Sequence, residues 1–340
     1  MRIGKDEFDA ALRPGFRRAT QSAYQALDAS QADDARQRLQ GAGLRGSSFE
    51  ARSCPVCGEG ALQAPLLRKL GLEIVRCAGC AMVYSRTVPD ERNDRAFYAE
   101  TAFQSAYLQL KRNDDYAALE RLKAGYIVQT ALQHAPHART VLEIGSGAGR
   151  LLSAAREAGL SVLGVEANPG FAAESRALGH EVLEGWFPQV LGVARAPFDI
   201  IAMLDVLEHC LDPRAFLHAV AARLSPEGVI VIQVPNFDSL LVRLEGAASS
   251  VICHGHWNYF TPVTLERCLR AADVEPLGSE TIISEVDRIA AFPRERIAAL
   301  ALEICGHAPP AQGPDAHWLH AQRLGYKLLA CSRPRRGARG

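Results

Sequence analysis

Residues 140–150 read TVLEIGSGAGR, and the way this stretch folds decides the rest of the chain. Thr140–Ile144 is a short run of β-branched and apolar residues, the composition of a buried strand. Glycines at 145, 147 and 149 follow, and RLLSAAREAG then reads as a helix closed by Gly159. The alternation continues outward. LSVLGVE (160–166) is a second strand, PGFAAESRALG (169–179) a helix with Pro169 in its first turn, and HEVLEG (180–185) a weaker third strand. FDIIAMLD (198–205) is apolar almost throughout, as strands covered on both faces are. A helix over PRAFLHAVAARLSPEG (213–228), a strand GVIVIQVPN (228–236) and a helix TPVTLERCLRAADV (261–274) complete the series. The class is α/β, with an open, doubly wound, Rossmann-like parallel sheet. SETIISEV (279–286) and GYKLLACSRP (325–334) read as two more strands, separated by a helical segment around Arg294–Cys305.

The glycine turn lies at the carboxyl end of the first strand, where such sheets bind ligands. Without side chains there, the backbone turns tightly and a ligand can lie against it. Glu166 ends the second strand 23 residues after Glu143, placed to accept from both hydroxyls of a ribose. Dinucleotide sites use G-x-G-x-x-G and aim a helix N-terminus at phosphate. This turn is G-x-G-x-G and is preceded by Glu143, an unfavourable neighbour for phosphate and a favourable one for an ammonium group. S-adenosylmethionine carries an amino group and a sulfonium and no phosphate, so it is the expected cofactor. A nicotinamide site or a purely structural turn is the competing reading.

VLEIGSGAGR, then GVEANP, then FDIIAMLDVLEH with a following Asp-Pro turn, resembles the class I S-adenosylmethionine-dependent methyltransferases from about Thr140 to Pro334. The resemblance implies that Gly145, Gly147 and Gly149, with Ser146 among them, lie under the methionine part of the cofactor. It places Glu143 at the amino end and Glu166, followed by Ala167, on the ribose. The region after the third strand is Glu184-Gly185-Trp186-Phe187, without the acidic residue that many members use for adenine, so Trp186 is a candidate stacking partner. Asp205 would line the cofactor pocket or end its strand. His209 is a candidate catalytic residue, or else a residue that orients the next helix.

Nine cysteines include two pairs, Cys54-Pro-Val-Cys57 and Cys77-Ala-Gly-Cys80, with 19 residues between them. Each pair offers two thiolates at the separation tetrahedral zinc requires, and the spacing is that of a zinc ribbon. Four sulfurs leave no open position, so a structural Zn2+ is expected. RCAGCAMVYSRTVPDE, ahead of a Tyr-rich helical segment, is similar to the lead module of sugar and natural-product C-methyltransferases. In those enzymes the module packs over the substrate cleft.

The stretch VICHGHWNYFTP (251–262) falls between the fifth strand and the helix starting at Thr261, on the carboxyl rim of the sheet. The resembling enzymes carry a Tyr-His-Glu-His-like run here, and their second His enolises a keto sugar. His256 inherits that role as catalytic base, with packing of its imidazole against the loop backbone as the competing reading. Cys253 and Gly255 stand where the aromatic hydroxyl and the acid would be, which counts against a keto-sugar substrate. A metal is not expected, because His254 and His256 would alternate faces and no carboxylate adjoins them. Thr261 reads as an N-cap with Pro262 in first position. Tyr259 and Phe260 read as packing.

Lys+Arg and Asp+Glu balance at 38 each, with no basic stripe, so neither nucleic acid nor an anionic membrane is an expected partner. No apolar run reaches the length of a membrane span, the start lacks the apolar core of a signal peptide, and a cytoplasmic setting is expected. The expected organisation is a helical lead (1–48), a zinc-ribbon module (49–90), a helical connector (91–137), the methyltransferase domain (138–334) and a frayed tail (335–340). The expected activity is methylation of a small molecule, C-methylation ahead of O-methylation on a hydroxylated small molecule or lipid precursor. A non-catalytic scaffold of the same fold is the reading from another class. Oligomeric state is not legible.

Overall fold

The computed structural model describes residues 49–335, except 61–62, 97, 99–100 and 193–196, together with scattered positions before residue 49. The helical lead expected over 1–48 and the tail after 335 thus lie largely outside the described residues.

The strands run β1 (Glu50–Ala51), β2 (Pro65–Lys69), β3 (Leu72–Arg76), β4 (Val83–Ser85), β5 (Thr87–Val88), β6 (Thr140–Ile144) and β7 (Ser161–Glu166). They continue with β8 (Val182–Glu184), β9 (Phe198–Leu204), β10 (Leu224–Pro235), β11 (Asn258–Tyr259), β12 (Val274–Ile282) and β13 (Lys327–Pro334). The helices of the connector are α1 (Glu91–Ala96), α2 (Ala102–Arg112) and α3 (Asp114–His134). Those of the large domain are α4 (Arg150–Glu157), α5 (Pro169–Ala177), α6 (Pro213–Ala221), α7 (Leu240–Glu245) and α8 (Pro262–Ala271), then α9 (Val286–Ile289), α10 (Arg294–Cys305) and α11 (Ala316–Ala321).

A seven-stranded sheet in the order β12-β13-β10-β9-β6-β7-β8 forms the centre. The five strands from β8 to β10 are parallel, and the order reverses between β6 and β9, which opens the ligand-binding crevice at their carboxyl ends. β13 departs from the all-parallel expectation: it inserts between β10 and β12, antiparallel to both. Val229, Ile230, Val231 and Ile232 are inaccessible to solvent, so both faces of β10 are covered, as its uniform apolar sequence requires. The helix expected over 213–228 stops at Ala221, because Leu224 already pairs with Phe198 and the chain bulges before Val229.

The smaller sheet draws its strands from two distant parts of the chain. Its order is β11-β4-β3-β2, all antiparallel, and β11 comes from the loop after β10. Asn258 lies opposite Tyr84 and Tyr259 opposite Val83. Arg52 reinforces the junction, donating to the carbonyls of Ser85, Leu211 and Trp257 and to Asn258 Oδ1. Trp257, fully buried, donates its indole N–H to Asp94 of α1 at 2.8 Å. Ribbon, connector and the loop after β10 therefore share one packed junction. Among the described residues no helix is long and apolar enough to cross a membrane.

Candidate active site and metal centre

The turn after β6 is built as its glycines require. Gly145 has φ of 71°, and a Cβ there would sit 2.7 Å from Val206 Cγ2. The glycine turn and the β9–α6 loop are thus in contact, with no room for a side chain between them. Gly147, at φ of 50°, faces open space. Gly149 serves packing, since a Cβ would meet Ser175 Oγ at 2.4 Å and His180 Cδ2 at 2.9 Å. Ser146 is buried within the same turn, and Ala167 stands between Glu166 and the helix cap Asn168.

Glu143 is 4% exposed, and its Oε2 has no hydrogen-bond partner. Burial first, and then the charge of Glu166, pushes its carboxyl well above the ordinary range. An orphaned, buried acceptor of this kind fits a cationic ligand group. Glu166 accepts from the Gly147 N–H and the Asn168 N–H at 2.8 Å each, which fixes its carboxylate over the turn with lone pairs to spare.

Asp205 ends β9 in the left-handed region, at φ of 57°. It is bound by Lys327 Nζ at 2.7 Å and Gln233 Nε2 at 3.1 Å, which ties β9, β10 and β13 together. Burial opposes its ionisation, but Lys327 prevails and holds the carboxyl well below its ordinary value. Asp205 is a strand-end tether in this geometry.

The turn over Leu207–His209 and the loop after β10 bring the two candidate histidines together. Their ring centroids are 4.6 Å apart at an interplanar angle of 79°. His209 Nδ1 lies 2.7 Å from the Gly255 carbonyl, and His256 Nδ1 lies 2.8 Å from that of Val251. A carbonyl only accepts, so both Nδ1 atoms carry the proton and both Nε2 atoms offer a lone pair in the neutral rings. Both residues are half-buried. Burial lowers His209 to about 4, and burial together with His209 pushes His256 well below its ordinary value. Gly255, which stands where the resembling enzymes carry an acid, has φ of 92° and uses its carbonyl to orient His209.

Two groups escaped the sequence reading. Glu208 is 1% exposed with neither carboxylate oxygen bonded, and one donor atom each from Glu208, His209 and His256 lies within 4.8 Å of the others. The expectation that no carboxylate adjoins His256 is therefore corrected: Glu208 reaches it from the turn after the neighbouring strand β9. His254 does face away, bonding the Leu70 carbonyl of the ribbon at 2.7 Å. Tyr98 is the second group, its ring edge-on to His209 at 5.8 Å and to Trp186 at 5.1 Å. Trp186, the candidate adenine partner, also lies under the Arg95 guanidinium, so it joins the connector to the cleft. The spacing of Glu208 beside His209 was visible in the sequence, whereas nothing local linked Tyr98 to either.

Cys54, Cys57, Cys77 and Cys80 converge, with all four sulfurs within 4.8 Å, Cys54 3.4 Å from Cys80 and Cys57 3.5 Å from Cys77. Tetrahedral ligands at a zinc–sulfur distance of about 2.3 Å stand roughly 3.8 Å apart, so the set fits that ion. Left-handed Gly58 and Ala81 follow the second cysteine of each pair and close the two turns.

Residues 115–277 match a family described as "Methyltransferase domain". The chain carries a class I S-adenosylmethionine-dependent methyltransferase domain, with a small cysteine-rich module before it. Over 103 residues it is 30% identical to the ubiquinone biosynthesis O-methyltransferase of Caulobacter vibrioides, spanning 28% of this chain and 41% of that protein. Over 125 residues it is 30% identical to the C-methyltransferase NovU of Streptomyces niveus, spanning 36% of this chain and 29% of that protein. The matches thus span less than half the length of either relative. The structure of the 1,6-didemethyltoxoflavin-N1-methyltransferase of Burkholderia thailandensis is 17% identical, with a TM-score of 0.45, covering 80% of this chain and 99% of that one.

Proposed function

We propose that this protein transfers the methyl group of S-adenosylmethionine to a small-molecule acceptor. The observation that carries the reading is the contact of Gly145 with Val206, three residues before His209, whose ring stands against His256. Glu143 would pair with the cofactor's amino group, Glu166 would hold the ribose, and Gly147 leaves the space the methionyl chain needs. The cofactor supplies a methyl on a positive sulfur, already activated for displacement.

The chain's task is alignment and proton removal. Glu143, Glu166 and the glycine turn would hold the cofactor with its methyl facing the acceptor, so that the acceptor's electron pair could displace the neutral sulfur in line. The acceptor's proton goes to His256 Nε2, whose lone pair is free because Nδ1–H is given to Val251. His209, held by Gly255, fixes the edge against which that ring stands. Burial favours the neutral form of the His256 ring, the form that carries the Nε2 lone pair, while it weakens the ring as a base.

The likeness to NovU supports carbon as the acceptor atom, and the likeness to the ubiquinone enzymes supports oxygen. The ribbon ahead of the domain, as in the resembling C-methyltransferases, and His256 favour carbon. A structural zinc on the four cysteines would fix the ribbon, and the balanced charge supports a small acceptor over nucleic acid. The reading is tested by calorimetry with S-adenosylmethionine on folded, zinc-loaded protein. Saturable binding near 1:1 is expected, and a folded protein that binds none overturns the reading.

A further inference from the structure

Glu208, His209 and His256 have a property that proton removal leaves unused. Two imidazoles and one carboxylate converge within 4.8 Å, and the carboxylate is buried with no partner on either oxygen. An ionised, unpaired carboxylate in such a place is costly, whereas a cation would satisfy it. Both histidines give their Nδ1–H to a backbone carbonyl, the arrangement that orients metal-ligating imidazoles. Asp205 does not compete, being held by Lys327 and Gln233. Ligands on one cation at about 2.1 Å stand roughly 3–3.5 Å apart, a spacing reached by small side-chain rotations.

We propose that Glu208, His209 and His256 form a divalent-cation site in the acceptor cleft, distinct from the four-cysteine site, with open positions for oxygen atoms of the acceptor. Two nitrogens and one carboxylate select first-row ions such as Zn2+, Fe2+ or Mn2+ over Mg2+ or Ca2+. The inference rests on the reading that the acceptor enters beside these imidazoles and narrows it to acceptors with an oxygen at or next to the methylated atom. With the cation seated, an acceptor hydroxyl bound to it gives up its proton to solvent more readily, and His256 acts as a ligand. Without the cation, His256 remains the base.

The test is titration of purified, zinc-loaded protein with Co2+ alone, followed by calorimetry and visible absorption. One further equivalent is expected, with cobalt ligand-field bands and no added thiolate-to-cobalt charge transfer. Glu208→Gln should weaken that uptake by more than about tenfold while the ribbon zinc and the melting temperature hold. His256→Gln serves as the second variant should Glu208→Gln fail to fold. Folded wild type that takes up no second equivalent, or both variants binding as tightly as wild type, overturns the site. Cobalt uptake in protein that binds no S-adenosylmethionine supports the site and counts against the methyltransfer reading alone.

Discussion

His256 stands edge-on to His209 at 4.6 Å, although 46 residues separate them, and both rings are held by carbonyls of the same 251–256 loop. His209 leans on the loop that carries His256, through the Gly255 carbonyl. The pair is therefore one unit, and disturbing either half should disturb both.

His256→Ala should lower the turnover number by about 10²–10⁴-fold, the range for losing a general base, and leave cofactor affinity within about twofold. Single-turnover kinetics with the true acceptor, beside calorimetry with S-adenosylmethionine, separates the two effects. Unchanged turnover would remove His256 from the chemistry.

Glu143→Gln should weaken S-adenosylmethionine binding by roughly 10–100-fold, the cost of one charge-assisted bond in a buried site. The free protein holds this carboxyl protonated above the ordinary range, whereas an ammonium partner favours the ionised form. Affinity should accordingly rise with pH through the raised pKa, and the Gln variant should lose that slope. The cofactor-free protein has the opposite trend: the contribution of Glu143 to stability is full below the ordinary carboxyl value of 4.5 and fades as pH rises through the raised one.

Glu120 gives the contrasting sign. Burial alone would raise it, but Lys111 at 3.0 Å and Lys123 at 2.6 Å pull it down to about 2. Its stabilising effect is present above 4.5 and lost as pH falls through about 2. Glu120→Gln should destabilise the protein by about 3 kcal/mol at neutral pH, because two buried ammonium groups lose their counter-charge. Denaturant melts at neutral pH and near pH 3 should show the difference shrinking with acid.

Cys54→Ser should abolish tight zinc binding and loosen the ribbon, read as metal per chain by elemental analysis. Turnover should fall as well, although Cys54 makes no contact with the histidines, because β11 is hydrogen-bonded to β4. Hydrogen exchange over 251–260 should accelerate in the variant. A ribbon that loses zinc with no change in that segment would separate the two.

The parallel core was legible because its strands are uniformly apolar and punctuated by glycine and proline, a signal carried by neighbours in sequence. The four cysteines were legible for the same reason. The Thr261 cap was too, and the structure adds its reciprocal partner Thr264. Less could be read where partners are far apart. The insertion of β13 between β10 and β12 leaves no local mark, since antiparallel and parallel neighbours demand the same apolar residues. Glu208 carries no local mark of its role, because the histidine the fold sets beside it lies 48 positions on. Gly255 looked like the loss of an acid, and its use, a left-handed carbonyl aimed at His209, depends on a partner that local pattern does not name.

The pairing of β11 with β4 also bears on inheritance. A ribbon whose fourth strand is lent by the rim loop cannot be exchanged between relatives as a cassette ending near residue 90. A recombinant would have to carry the 251–260 loop along with it, or leave an open sheet edge and an unanchored histidine. Acceptor choice and the cysteine module should therefore descend together, as one heritable unit written in two distant parts of the chain.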